Sequence, residues 1–286
     1  MKIFSSRVEK YSMDRLSIVI LRLLPQHLLS KLVGKITKIE TFWLKNLIIK
    51  IFIKKYKVDL SQARNKNVAT YKTFNSFFTR AIDHNLRPIS QEGIVSPVDG
   101  KVSFIGELKD NIEFLVKGKS FDLNSLLAND TEKIKHFKNS KFLTIYLSPK
   151  DYHRIHIPLN GSLKEMVFVP GTLFSVNEFS VKKIPNLFSK NERLICYFDT
   201  DEGLVALIMV GAIFVGSMQT VWHGNVHENK LRSWKYGDDQ NLYFNKGEEI
   251  ARFNMGSTVI MLKSKNTNAF FKKLKGRSIL MGERVS

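Results

Sequence analysis

Three short stretches of this 286-residue chain set reactive side chains beside turn-forming residues. In SPVDG (96–100), Pro97 and Gly100 bracket Asp99 at a tight turn just ahead of a strand, where a carboxylate can cap its own backbone or serve chemistry. In YLSPKDYHRIHIP (146–158), His153 and His156 stand three apart: on a helix they share a face, in a strand they fall on opposite faces. A metal pair is one reading of that spacing, although no Cys or acidic partner stands at a familiar ligand interval; partly buried, hydrogen-bonded histidines are the other. In RFNMGSTVIML (252–262), Ser257 follows Gly256, so its hydroxyl can reach back to an unhindered carbonyl. Taken alone, Gly-Ser-Thr inside a strand also reads as a bulge.

The elements that must position these groups change character along the chain. Residues 14–60 read as helical, with Leu32, Ile36, Ile39, Trp43 and Leu47 on one side and Lys31, Lys35, Lys38 and Lys45 on the other. A basic amphipathic helix with a Trp on its apolar side suits lying in a membrane interface; packing on the protein's own core is the other reading. No apolar run reaches the length a membrane-spanning helix needs. Residues 61–93 read as a connector. From about residue 94, short β-rich runs punctuated by Gly, Pro, Asn and Asp follow, among them KVSFIGEL, FLTIYLS, RLICYFD and STVIML, and TNAFFKKLKG reads as a short helix or tail. The expected class is α+β: N-terminal helices (1–60), a connector (61–93) and a β-rich core (94–286).

Composition narrows the partners. Lys and Arg number 45 against 26 Asp and Glu, a formal charge of +19, which calls for a polyanionic partner such as nucleic acid or an anionic membrane surface. Nearly half of the excess falls in residues 1–60. The single cysteine, Cys196, excludes an intrachain disulfide, and its apolar setting predicts a buried thiol in a reducing compartment. The N-terminus lacks a signal-peptide layout, because Arg22 interrupts its apolar region, so export is not expected.

Nine stretches in order resemble the phosphatidylserine decarboxylases: LPQHLLSKLVGKI (24–36), FNSFFTR (74–80), RPIS (87–90), SPVDG (96–100), YLSPKDYHRIHIP (146–158), VPGTLFSVN (169–177), NERLICYF (191–198), VALIMVGAIFVGSM (205–218) and KGEEIARFNMGSTVIML (246–262). Each is weak alone; their joint order identifies the family. Departures are Met255 where Leu is common, Thr172 where an acidic residue is usual and Ala251 where glycine is usual.

The resemblance implies a pyruvoyl enzyme that makes its cofactor by cutting its own chain between Gly256 and Ser257. Asp99, His156 and Ser257 then correspond to the self-processing triad: His156 takes the Ser257 Oγ proton, Asp99 holds the imidazole, and Ser257 attacks the Gly256 carbonyl. Elimination from the resulting ester, followed by loss of ammonia, leaves a pyruvoyl group at residue 257, which forms a Schiff base with the serine amine of phosphatidylserine and acts as electron sink for loss of CO2. His153 is the expected acid of the decarboxylation step and Tyr146 a weaker positioning candidate. The implied product is phosphatidylethanolamine. The expected partners are phosphatidylserine in an anionic membrane, the large and small chains of one precursor, and a second copy in a homodimer, with no nucleic acid. The expected location is peripheral, on the cytoplasmic side of a bacterial-type inner membrane. A metal-dependent hydrolase using His153, His156 and Asp99, or a non-catalytic membrane-binding protein, are the competing readings.

Overall fold

The computed structural model describes residues 25–108, 113–116, 119–213, 217–254, 257–264, 270 and 272–286. Residues 14–24 of the expected helical region, Met255 and Gly256 lie outside them.

Two helices open the described chain, α1 (Gln26–Ile36) and α2 (Phe42–Tyr56). The helix expected across residues 14–60 is therefore interrupted at 37–41. The Thr37 hydroxyl turns back to Gly34 O (3.0 Å), and its carbonyl accepts from the backbone N–H of Asn75 (2.9 Å), so a bond from elsewhere replaces the next helical one. On α1, Leu28, Leu32 and Ile36 are exposed; on α2, Trp43, Leu47 and Ile51 repeat the four-residue spacing and are also exposed, at 67%, 49% and 57%. The opposite side of α2 packs Ile49, Phe52 and Tyr56 against Phe74, Phe77 and Phe78 of the short helix α3 (Phe74–Phe78). Lys45, expected on a solvated side, is buried instead: its ammonium donates to Ala69 O (3.1 Å) and Asn46 Oδ1 (2.8 Å) and lies over the Phe42 ring.

The β region holds β1 (Gly100–Glu107), β2 (Glu113–Val116), β3 (Lys119–Asp122), β4 (Lys141–Leu147), β5 (Arg154–His156), β6 (Gly161–Val169), β7 (Arg193–Thr200), β8 (Gly203–Val210), β9 (Met218–Thr220), β10 (Gly224–Val226), β11 (Arg232–Lys235), β12 (Tyr243–Phe244), β13 (Glu249–Phe253), β14 (Ser257–Lys263) and β15 (Ser278–Ile279). A nine-stranded sheet runs β11-β6-β7-β8-β14-β4-β1-β15, with β12 on β6; a second sheet runs β10-β9-β13-β5, and β2 pairs with β3. Strands β1, β2, β4, β6, β7, β8, β13 and β14 coincide with β-rich runs of the sequence, whereas β3, β5, β10, β11, β12 and β15 lie outside those runs; the architecture is α+β.

One face of the large sheet packs on the four-stranded sheet through Val259 and Met261 of β14, Ile155 of β5 and Phe253 of β13. The other face, with Ile260 and Leu262 of β14, lies under the short helices α4 (Leu123–Leu126), α5 (Thr131–Phe137), α6 (Glu178–Lys183) and α7 (Leu187–Lys190). Because both faces are covered, the sequence of β14 shows no polar alternation, and all seven of its residues are buried. Cys196 is fully buried in the first of these cores, and burial pushes its thiol pKa up, which keeps it protonated.

Candidate active site

Ser257 is the first residue of β14, which is held between β4 and β8 in the middle of the large sheet. β13 ends at Phe253 in the other sheet, so the chain passes from one sheet to the other within residues 254–256. Both sides of that crossing are anchored. Upstream, Asn254 accepts from Asn75 Nδ2 (3.1 Å) and donates its own amide to the Ser217 hydroxyl (2.6 Å); downstream, Ser257 pairs with Leu147 of β4.

The Ser257 side chain is fully buried, and its Oγ has no hydrogen-bond partner among the described residues. It borders a cavity of about 350 Å³ walled by Phe52 and Tyr56 of α2, Phe78 of α3, and Tyr146, Pro149 and Asn177. An orphaned hydroxyl costs about 1–3 kcal/mol in a packed interior. Such a hydroxyl at the head of a central strand makes Ser257 a candidate functional residue.

The histidines are in extended chain, His156 in β5 and His153 just before it, so they meet different neighbours. His153 is fully buried, with its ring centroid 4.1 Å from that of Phe78, which itself lines the Ser257 cavity. His153 Nδ1–H donates to Asp151 O (2.8 Å), which leaves Nε2 as the lone-pair nitrogen; Nε2 is buried and without a partner among the described residues. Burial pushes the ring's pKa down to about 3, so it is neutral at physiological pH. The Phe253 N–H donates to His153 O (3.0 Å), which fixes this histidine beside the strand that leads to Ser257.

His156 has no free nitrogen. Nδ1–H donates to Gly247 O (2.8 Å), and Nε2 accepts from the Tyr152 hydroxyl (2.9 Å); burial lowers its pKa as well. Asp99 accepts a fork from Arg87, Nε to Oδ1 at 2.9 Å and Nη2 to Oδ2 at 2.5 Å, and the Met281 N–H at 2.7 Å. Among the described residues no hydrogen bond joins any two of Asp99, His156 and Ser257. The backbone brings two of them close, since His156 N–H donates to Pro97 O (2.8 Å) in the SPVDG turn. The imidazole expected to be held by Asp99 is held by a main-chain carbonyl, because the carboxylate is committed to Arg87.

Tyr146, on β4 opposite Thr258, is half-buried, and burial raises its phenol pKa. It lines three cavities: the one at Ser257, one of about 430 Å³ over Asp99 and Asp151, and one of about 330 Å³ under α6. Sequence reasoning gave no role to Arg87, Tyr152 or Arg80, although all three lie inside the motif stretches RPIS, YLSPKDYHRIHIP and FNSFFTR. Thr172 bonds Lys190 O (3.0 Å) and Asn191 Oδ1 (3.1 Å) in a loop, and Ala251 sits at an irregularity of the β13–β5 ladder. No group of three or more potential metal ligands occurs among the described residues.

A family model described as phosphatidylserine decarboxylase matches residues 74–286, and a second, described as PSD, matches residues 16–57. The chain is 46% identical over 258 residues to a protein of Marinobacter nauticus, covering 88% of this chain and 90% of that one. It is 42% identical over 276 residues to one of Dechloromonas aromatica (95% and 98%), and 46% identical over 263 residues to one of Francisella tularensis subsp. novicida (90% and 92%). Each of these relatives is named a phosphatidylserine decarboxylase proenzyme. The chain belongs to the phosphatidylserine decarboxylase family.

Proposed function

We propose that this protein converts phosphatidylserine to phosphatidylethanolamine with a pyruvoyl group that it makes from Ser257 by cutting itself after Gly256. The observation that carries this reading is the buried Ser257 hydroxyl, without a partner among the described residues, at the head of a central strand and bordering a cavity walled in part by aromatic rings.

In the cutting step, Ser257 Oγ loses its proton to a base and attacks the Gly256 carbonyl, and the amide becomes an ester. Elimination breaks the Cβ–O bond, the Gly256 carboxylate leaves as the new end of the large chain, and the dehydroalanine left at 257 takes up water and releases ammonia. The family resemblance supports His156 as the base, with Asp99 as its support. A second reading has a specific observation behind it: of the two histidines in the YLSPKDYHRIHIP stretch, His153 has a free Nε2 lone pair among the described residues, whereas both nitrogens of His156 are engaged.

Residue 257 fits a carbonyl cofactor, because its side chain is shielded from solvent and its strand is paired on both sides. Once formed, the pyruvoyl group supplies an electrophilic carbonyl and an electron sink. The chain's own residues do the rest. Phe52, Tyr56 and Phe78 give the cavity an apolar side, and an apolar wall beside the carboxylate favours its departure as neutral CO2. His153 Nε2, unprotonated at rest, is the candidate to relay the proton that returns to the carbon that lost CO2. Tyr146 borders the same cavity and fits a positioning role.

The division of labour follows the chain: residues 1–60 meet the lipid, 61–93 link and lend Arg87 to Asp99, and 94–286 carry the chemistry. No helix of the described residues is long and apolar enough to cross a membrane. The exposed apolar side chains of α1 and α2, flanked by exposed Lys31, Lys35, Lys50 and Lys54, support a peripheral seat on the anionic cytoplasmic leaflet of a bacterial-type inner membrane.

Denaturing mass spectrometry of the purified protein tests the reading. The expected result is two chains, 1–256 and 257–286, the smaller with a keto-blocked end, and phosphatidylethanolamine formed from phosphatidylserine vesicles. A single intact chain that leaves the lipid unchanged would refute it.

A further inference from the structure

Three arginines of the described chain are almost wholly buried, and two are fully accounted for. Arg87 is paired with Asp99. Arg193 has no carboxylate, but its guanidinium donates to the carbonyls of Leu126, Ser189, Asn191 and Ser125. Arg80 is the exception. It is 5% exposed and makes one side-chain hydrogen bond, Nη2 to Lys150 O (2.8 Å); Nη1 is buried without a partner, and no carboxylate pairs with it among the described residues. A desolvated guanidinium with an idle donor is costly unless an anion completes it.

The surroundings supply room and sign for one. Arg80 lines the cavity of about 430 Å³ that also takes in Lys57, Lys101 and Lys150. The Arg87–Asp99 pair in its wall is self-neutralised, which leaves those four cations facing Asp59 and Asp151. Both carboxylates are committed to turns: Asp59 accepts from Ser61 N–H and Gln62, Asp151 from the N–H and hydroxyl of Ser148. Tyr146 is common to this cavity and to the one at Ser257, so the two adjoin.

We infer that Arg80 is the binding residue for a phosphate ester, the headgroup phosphate of the lipid, with Lys57, Lys101 and Lys150 around it. This rests on the reading of the site as a phosphatidylserine decarboxylase. Of the two anions on that substrate, the phosphate is the one a guanidinium should hold. A cation on the departing carboxylate stabilises the charge that must vanish and raises the barrier, whereas the phosphate keeps its charge throughout and is held equally in ground and transition states. The guanidinium fork matches two phosphate oxygens, which a lysine ammonium cannot do.

Two measurements test the subsite. First, the uncut Ser257→Ala chain, full length in neutral detergent, is titrated calorimetrically with glycerol 3-phosphate, inorganic phosphate and glycerol. Binding of the ester, none of glycerol, and a loss of about tenfold in affinity in the added Arg80→Lys change are expected. Inorganic phosphate binding more tightly than the ester would reassign the site to free phosphate. Second, in the cut enzyme, Arg80→Lys is expected to raise KM for short-chain phosphatidylserine about tenfold, with kcat changed far less. Unchanged KM and ester affinity, with slower self-cutting, would overturn the proposal and leave Arg80 as a pin for the Lys150 loop. Ester binding through Arg80 in a chain that never decarboxylates would keep the subsite and refute the function.

Discussion

β14 and the helix pair α1–α2 are both rich in large apolar side chains, yet they use them in opposite ways. Every residue of β14 is buried, and from Thr258 onward the strand is paired on both edges, whereas α1 and α2 turn Leu28, Leu32, Trp43, Leu47 and Ile51 outward. Isolated exposed hydrophobics are ordinary, but two rows at helical spacing on consecutive helices are a surface waiting for a cover. Under the proposed function the difference separates two tasks: β14 would hold the reacting residue in place, and the helices would hold the enzyme to its substrate's phase.

The sharpest way to break that comparison is at the head of β14. Ser257→Ala should leave the chain uncut on a denaturing gel and abolish decarboxylation, while the helices still bind vesicles. Next in size are the histidines. His153→Ala is expected to cut normally and lose decarboxylation by about a hundredfold or more, and His156→Ala to remain uncut, read by gel and by CO2 release. An uncut His153→Ala chain would instead favour the second reading, in which the free Nε2 serves the cutting step.

The helices are tested by charge. Trp43→Glu with Leu47→Glu should weaken binding to phosphatidylserine-containing vesicles by about tenfold or more, since each removes one large apolar anchor, and should leave self-cutting intact. Flotation and the gel together read both halves of the comparison.

The smallest expected effect is on stability against pH. His153 has a pKa of about 3 when folded and an ordinary value near 6.5 when unfolded, so only the unfolded chain gains a proton as pH falls below about 6.5. Its contribution is therefore complete above that value and lost progressively on the way down to about 3. At roughly pH 5 the loss from this residue is about 2 kcal/mol, and His156, shifted the same way by burial, adds to it. Urea unfolding of uncut Ser257→Ala chain at neutral and mildly acid pH measures the fall, and His153→Phe should reduce it.

Much of the β core was legible because strand pattern is local: runs such as FLTIYLS and STVIML announce buried strands between turn residues. The residues that the resemblance assigned to the site, Asp99, His153, His156 and Ser257, all proved to be buried. Their partners were not legible, because a partner is a matter of tertiary contact. Nothing near Asp99 in sequence announces the fork from Arg87, and nothing in the histidine spacing says that Tyr152 and Gly247 occupy His156. Lys45 was misjudged for a related reason: helical phase put it with the solvated lysines, but residue 69, far along the chain, folds back and offers it a carbonyl.

The short passage between the two sheets, residues 254–256, bears on how the cut protein ages. Residues 257–286 hold a central strand of the large sheet and, through β15, its far edge, and the Ser286 hydroxyl accepts from the Ile94 N–H (2.9 Å). The proposed cut would turn a single folding chain into an interlocked heterodimer whose smaller member cannot leave without opening the sheet. Unfolding would then pass from a unimolecular to a bimolecular equilibrium, so recovery after denaturation would depend on concentration and on finding the lost peptide. A protein cut there would be easier to keep than to remake: its endurance would be kinetic, set by how slowly the sheet opens rather than by how readily its parts reassemble.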